Sequence, residues 1–341
     1  MTNGIRATLF AFASVATLAA GASGAAQGGP TTPAGVRRIL SALADDSMEG
    51  RASGTPGAQR AARYIAGEMK KIGLEPLGDS GFYQRVAVTA DTGVRHRLRV
   101  RQSFAALDTV PPARWRPAVN VLGVIRGSDP ALSKEYVLVD AHYDHLGIGR
   151  PVNGDSIYNG ADDDASGVTA VLEIARQMLR GPKPKRTVVF AAMIGEEVGL
   201  LGTNWYIAHP AIPLENMAAN LEIEMIGRPD SLAGGEGRAW LTGYERSTMG
   251  DELAANGIPI VPDKRPAQQF FQRSDNIAFA RRGIPAHTLS SFNLHADYHQ
   301  PSDEISKVDF VHMAGVINAG ARAVRLLTDG PKPEWKPGGR P

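Results

Sequence analysis

The chain has 341 residues, ordinary shares of apolar (43%) and charged (21%) residues, and no cysteine. These figures exclude a wholly disordered or fibrous chain, and the lack of thiols excludes disulfides, thiolate zinc fingers, iron–sulfur clusters and a cysteine nucleophile. Lys and Arg exceed Asp and Glu by only 37 − 35 = 2, too even a balance to argue for nucleic acid or an anionic membrane as partner.

The N-terminal segment reads as a secretory signal peptide over residues 1–26. A short n-region ends at Arg6, Ala7 to Ala20 is apolar apart from Ser and Thr, and small residues follow to Ala26. The apolar run is shorter than the roughly 20 residues a membrane-spanning helix needs. No Cys follows it, so no lipid anchor is expected, and the mature chain is expected to be periplasmic or extracellular. Residues 34–46 and 57–72 carry apolar side chains at helical spacing, and Gly73 after Lys70 and Lys71 is a stop signal. The Gly- and Pro-rich segment Glu49–Gly57 between them reads as a loop.

Residues 83–110 look like strands with polar turns. Buried strands are predicted at Val119–Ile125, Tyr136–Ala141, Thr187–Ile194, Leu221–Ile226, Ala239–Thr242 and Ile284–Leu289. Helices are predicted at 166–179, 199–208, 247–256, 274–282 and 308–327. Alternation of this kind predicts a three-layer α/β/α sandwich with a mostly parallel mixed sheet. No linker or composition shift divides residues 27–329, which read as one domain. Residues 330–341 hold four Pro and three Gly and read as a disordered tail.

Chemistry collects where the strands end, the place where open α/β sheets build their sites. His142-Tyr143-Asp144-His145 follows one strand. Asn159 to Gly167, with Asp162-Asp163-Asp164, leads into a helix. Gly195-Glu196-Glu197 follows another strand, and Glu222 and Glu224 lie in the next apolar run. His295 to Asp303 comes last. Each element alone has a bland reading: a surface turn, acids capping a helix, or a solvated loop. Together they differ, because carboxylates abutting apolar strands are costly unless paired or metal-bound.

In this order the motifs resemble the co-catalytic zinc peptidases of metallopeptidase family M28, which include aminopeptidases and glutamate carboxypeptidases. The matching stretches are Gly50-Arg51-Ala52-Ser53-Gly54, His142 to His145, Gly160 to Gly167, Gly195 to Gly202, Glu224 to Arg228, Arg273-Ser274-Asp275, Gly283 to Ala286 and Tyr298 to Asp303. The resemblance implies a zinc-peptidase (phosphorylase/hydrolase-like) fold and two Zn²⁺ per chain. One would be held by His142 and Glu224, the other by Glu197 and His299, with Asp163 bridging. Glu196 would be the general base, Tyr298 would donate to the oxyanion, and Asp144 would orient His142 from behind. Asp275 would support the site or face substrate, and the Asp163–Asp164 peptide would be cis. Two zinc ions, three carboxylates and one bridging hydroxide sum to zero charge.

The family usually has Asp where this chain has Glu224 and Asn where it has Glu222, so Glu222 stands as a rival ligand. His145 reads as a loop partner rather than a ligand. His287, His295 and His312 lack ligand context, and His96 and His209 read as surface residues. Trp205, Trp240 and Tyr244 read as core before substrate pocket. The implied activity is aminopeptidase action on peptide substrates. A carboxypeptidase, dipeptidase or glutaminyl cyclase on the same scaffold and a non-catalytic binding protein are the alternatives.

Overall fold

The structure is a computed structural model and describes Met1, residues 29–92 and residues 97–341. The leader beyond Met1, and His96, lie outside the described residues. Nine strands form the main sheet: β1 (Glu75–Pro76), β2 (Tyr83–Arg85), β3 (Val119–Ile125), β4 (Tyr136–His142), β5 (Thr187–Met193), β6 (Met217–Ile223), β7 (Ala239–Leu241), β8 (Ile260–Pro262) and β9 (Ala286–Ser290). Their order is β1-β3-β5-β4-β6-β9-β7-β8, with β2 also on β3. The four central strands β5, β4, β6 and β9 run parallel. β3 and β7 are antiparallel to their inner neighbours, so the sheet is mixed, as expected.

Among the described residues seven α-helices flank it: α1 (Pro33–Leu43), α2 (Pro56–Ile72), α3 (Ala165–Arg180), α4 (Leu201–Ala208), α5 (Thr248–Ala255), α6 (Asn276–Arg281) and α7 (Phe310–Asp329). Local chemistry sets their ends. Thr32 and Thr55 cap α1 and α2 through their side chains, each followed by a Pro in the first turn, where the missing N–H costs nothing. Gly73 closes α2 in the left-handed conformation, φ 96°.

Every residue of β4 is buried, as a strand covered on both faces must be. Val137, Val139 and Ala141 face the core under α1, α2, α3 and α7. Tyr136 and Leu138 face the opposite layer with Tyr206 of α4 and Phe279 of α6. Truncating Leu138 to Ala would cost about 2–5 kcal/mol.

Three sequence expectations change. The strand predicted over 221–226 is Met217–Ile223, so Glu224 lies just past its end. The strand predicted from Ile284 starts at Ala286, after Pro285, which has no N–H for a ladder. The C-terminal tail is packed rather than disordered. Trp335 bridges to Ser247, its indole N–H donates to Gly283 O at 2.9 Å, and its ring lies against His287 and Phe271. Pro-rich chain is stiff and extended, and bonds of Glu334, Lys336 and Gly339 to Thr248 and Arg246 hold it beside the Trp335 anchor.

Candidate metal centre

Because β5, β4 and β6 are parallel neighbours, their carboxyl ends lie side by side at one edge. His142 ends β4, Glu196 and Glu197 follow β5, Glu224 follows β6, and the loop after β9 carries His299. Asp163 comes from the turn into α3. That turn is held close: Asp164 caps the helix by accepting from Gly167 N and also accepts from Met225 N. A Cβ at Gly167 would overlap the Ile223 carbonyl, so glycine is required where α3 meets the end of β6. The Asp163–Asp164 peptide is cis.

Two overlapping ligand sets result. The donor atoms of His142, Asp163 and Glu224 lie within 4.8 Å of one another, as do those of His145, Asp163, Glu197 and His299. Asp163 belongs to both. Its oxygens are 3.3 Å from His142 Nε2 and 3.1 Å from His299 Nε2. His145, read from sequence as a loop partner, sits in the second set with its Nδ1 2.9 Å from Glu197 Oε1.

The electrostatics are those of acids and imidazoles forced together. For Asp163, burial opposes ionisation, yet the charge of His145 and the contacts to His142 and His299 win and hold it well below the usual carboxylate range. Burial alone would lower His299, but hydrogen bonds to Asp163 and Glu197 raise it to about 10. Burial, then Glu222, pushes Glu224 up to about 8. Burial, then the surrounding acids, drives Glu196 well up despite His142.

Asp144 acts differently from the expectation that its carboxylate orients His142. The His142 Nδ1–H donates to the Asp144 carbonyl oxygen at 3.1 Å, while the carboxylate is 3.8 Å away. The carboxylate instead accepts from Ser53 Oγ and from the backbone N–H groups of Gly195 and Glu196. It therefore fixes the turn carrying the two glutamates.

Glu222 does not join either set. It accepts from the Ser274 and Thr288 hydroxyls and from the N–H groups of Asp275 and Asn276 at the start of α6. Asp275 accepts from Thr203 at 2.5 Å, and burial with Glu222 raises it to about 7. Both acids lie beneath the site, not in it.

The profile of peptidase family M28 matches residues 120–321, more than half of the chain, from β3 into α7. The chain belongs to peptidase family M28. It is 27% identical over 237 residues to a probable leucine aminopeptidase 2 of Aspergillus oryzae, covering 62% of this chain and 45% of that one. Its fold is similar to that of an aminopeptidase from Aneurinibacillus sp. strain AM-1, with a TM-score of 0.62 at 17% identity over 90% of this chain and 97% of the other. A glutaminyl cyclase of Porphyromonas gingivalis also matches with a TM-score of 0.62, at 15% identity over 86% and 97%. The M28 chain spans less than half the length of the curated relatives it matches.

The candidate metal centre of this M28 chain opens into a pocket walled by Trp240, Phe270, Phe292, Met225 and Tyr298. Trp240 thus lines the pocket, whereas Trp205 packs on Phe104 and His209 away from it. Tyr298 stacks on His299, ring centroids 3.8 Å apart. Burial and the nearby acids raise its phenol pKa, so it stays a donor.

Sequence reading passed over several supports. Asp303 accepts from the N–H groups of Asp162 and Asp163, and His295 lies 2.9 Å from Asp162. Arg228 bonds Asp297 and reaches Asp303. Asp303 ends the stretch Tyr298 to Asp303 that resembles the family. The pairing of His295 with Asp162 has no signal at any sequence spacing.

Proposed function

We propose that the protein is a zinc-dependent aminopeptidase that hydrolyses the peptide bond after a free N-terminal residue. The observation that carries this reading is the pair of ligand sets sharing Asp163. The residues fit the metal. Buried His142 Nε2 has no hydrogen-bond partner among the described residues, and the bond from Nδ1 to the Asp144 carbonyl leaves Nε2, beside Asp163, as the nitrogen a metal would take. Three carboxylates with imidazoles form an N/O donor set suited to zinc. His142, Asp163 and Glu224 would hold one ion, and Asp163, Glu197 and His299 the other.

Bound at those positions, two zinc ions supply an activated water and a polarised scissile carbonyl. Glu196 lines the pocket, and its carboxylate has no partner among the described residues. It accepts the proton of the attacking water and delivers it to the leaving amine nitrogen. The Tyr298 phenol donates a hydrogen bond to the oxygen that gains charge. Asp144 keeps the Glu196 backbone in place throughout.

The walls favour an amine over a carboxylate at the substrate terminus. Glu196 and Glu224 line the pocket, and Arg273 is its one guanidinium among the described residues. Arg228, the other basic candidate, is engaged by Asp297 and Asp303. N-acetylating a good peptide substrate should abolish cleavage, and amidating its C-terminus should change little. The opposite pattern would make the protein a carboxypeptidase and Arg273 the clamp. Cyclisation of N-terminal glutamine without peptide hydrolysis would support the cyclase reading, which the shared fold keeps open. Export rests on the leader composition alone, and sequencing the N-terminus of protein recovered outside the cytoplasm tests it. No helix among the described residues is long and apolar enough to cross a membrane.

A further inference from the structure

Arg51 is fully buried and has no carboxylate within ion-pair distance among the described residues. Its guanidinium is spent on four carbonyl groups. Nε donates to Tyr143 at 2.8 Å, Nη1 to Leu43 at 2.7 Å and to Asn159 at 2.6 Å, and Nη2 to Gly160 at 2.9 Å. Leu43 is the last residue of α1, whose exposed carbonyl end favours a cation. Tyr143 lies between His142 and His145. Asn159 and Gly160 open the turn that delivers Asp163. One rigid fork therefore joins both ligand-bearing loops to a fixed helix end.

The backbone is strained to put it there. Glu49, Gly50 and Arg51 all have positive φ, 52°, 60° and 52°. Two of the three are not glycine, and such conformations persist where surroundings over-determine them. At Gly50 a Cβ would overlap the Tyr158 carbonyl and lie 2.7 Å from that of Gly147, so no other residue fits the turn. Burial lowers the Arg51 pKa, and Asp163, Asp164, Asp303 and Asp144 offset part of that through space.

We propose that Arg51 is a positioning residue that sets the spacing between the loop of His142 and the loop of Asp163, and with it the fit of the metal centre. This rests on the reading of the centre as a two-zinc site. A lysine at this position would keep the charge but lose the planar fork, so at most part of the four-carbonyl link survives.

The experiment compares the full chain with its Arg51→Lys and Arg51→Gln variants, using Arg186→Lys as a control. Arg186 is likewise buried and bonds Glu135 and the carbonyls of Leu327 and Gly330. It sits at the opposite end of β5, about 20 Å from the site by strand rise. Zinc content and zinc affinity against a competing chelator are measured on the folded fraction, beside Tm. Either Arg51 variant should lose zinc affinity by about tenfold or more, while Arg186→Lys lowers Tm with zinc affinity unchanged. Wild-type affinity in a folded Arg51 variant, or an equal loss in the Arg186 variant, would overturn the proposal. Failure of both Arg51 variants to fold would also overturn it, making Arg51 a folding residue. A wild-type chain that never takes two zinc ions would instead sink the two-zinc reading, whatever Arg51 does.

Discussion

His145 Nδ1 lies 2.9 Å from Glu197 Oε1, and that contact divides two adjacent glutamates into different kinds of residue. Glu197 is tethered on both oxygens, since His299 Nε2 is 3.3 Å from the other. Glu196 is tethered only through its backbone N–H, to Asp144. Glu196→Gln should keep both metals and lose about 10²–10⁴ in turnover, because an amide cannot accept the proton. Glu197→Gln should weaken metal binding. Zinc content alongside kcat reads both effects, and metal loss in the Glu196 variant with retention in the Glu197 variant would reverse the roles.

Zinc binding should expel protons. In the metal-free chain His299 stays protonated up to about pH 10 and the Asp163 carboxylate stays ionised far into acid. The histidine pKa is raised above its unfolded value near 6.5, so its contribution to metal-free stability is whole below that pH and lost as pH rises through about 10. Imidazolium and zinc compete for the same place. Zinc affinity should rise by about tenfold per pH unit for each proton displaced. Calorimetry at pH 7 in buffers of differing ionisation enthalpy measures the release directly, and a zero count would contradict the protonated His299.

Trp240 should set the size of the accepted N-terminal side chain. It is buried, stacked on Phe270 with centroids 5.0 Å apart, and narrows the pocket. Trp240→Ala should raise kcat/KM for peptides with a large first side chain, relative to alanine, by about tenfold or more. An unchanged ratio across a panel of first residues would remove Trp240 from the specificity wall.

Loss of the C-terminal anchor should destabilise the fold without touching the chemistry. Trp335 is half-buried against Phe271 and His287, so Trp335→Ala should cost about 2 kcal/mol, roughly half the penalty for a fully buried Trp. Denaturant midpoints measure this, and a change within error would show that the Trp335 ring is not what anchors the tail.

The strands were legible because a sheet covered on both faces demands unbroken apolar runs, as in Val137–Val139 and Val188–Phe190. Helix starts were legible from Thr-Pro pairs and the α2 stop from Gly73. The candidate ligands were legible because His142, Glu197 and Glu224 interrupt or end those runs. What stayed hidden depends on partners that sequence does not mark. Arg51 bonds only carbonyl oxygens, which every residue has. His145 and His142 sit in one motif, and only the fold decides which imidazole reaches which carboxylate. The tail misled because its proline content reads as disorder unless the pocket receiving Trp335 is known.

His299 follows β9, the last strand to be synthesised, yet β9 lies inside the sheet between β6 and β7. A nascent chain that has produced His142, Asp163, Glu197 and Glu224 still lacks its final imidazole and the strand that carries it. On the proposed two-ion reading, complete loading follows insertion of β9 into the sheet. A fully metallated molecule is then one whose assembly has finished, and a chain cut short before residue 299 lacks an imidazole of the second ligand set.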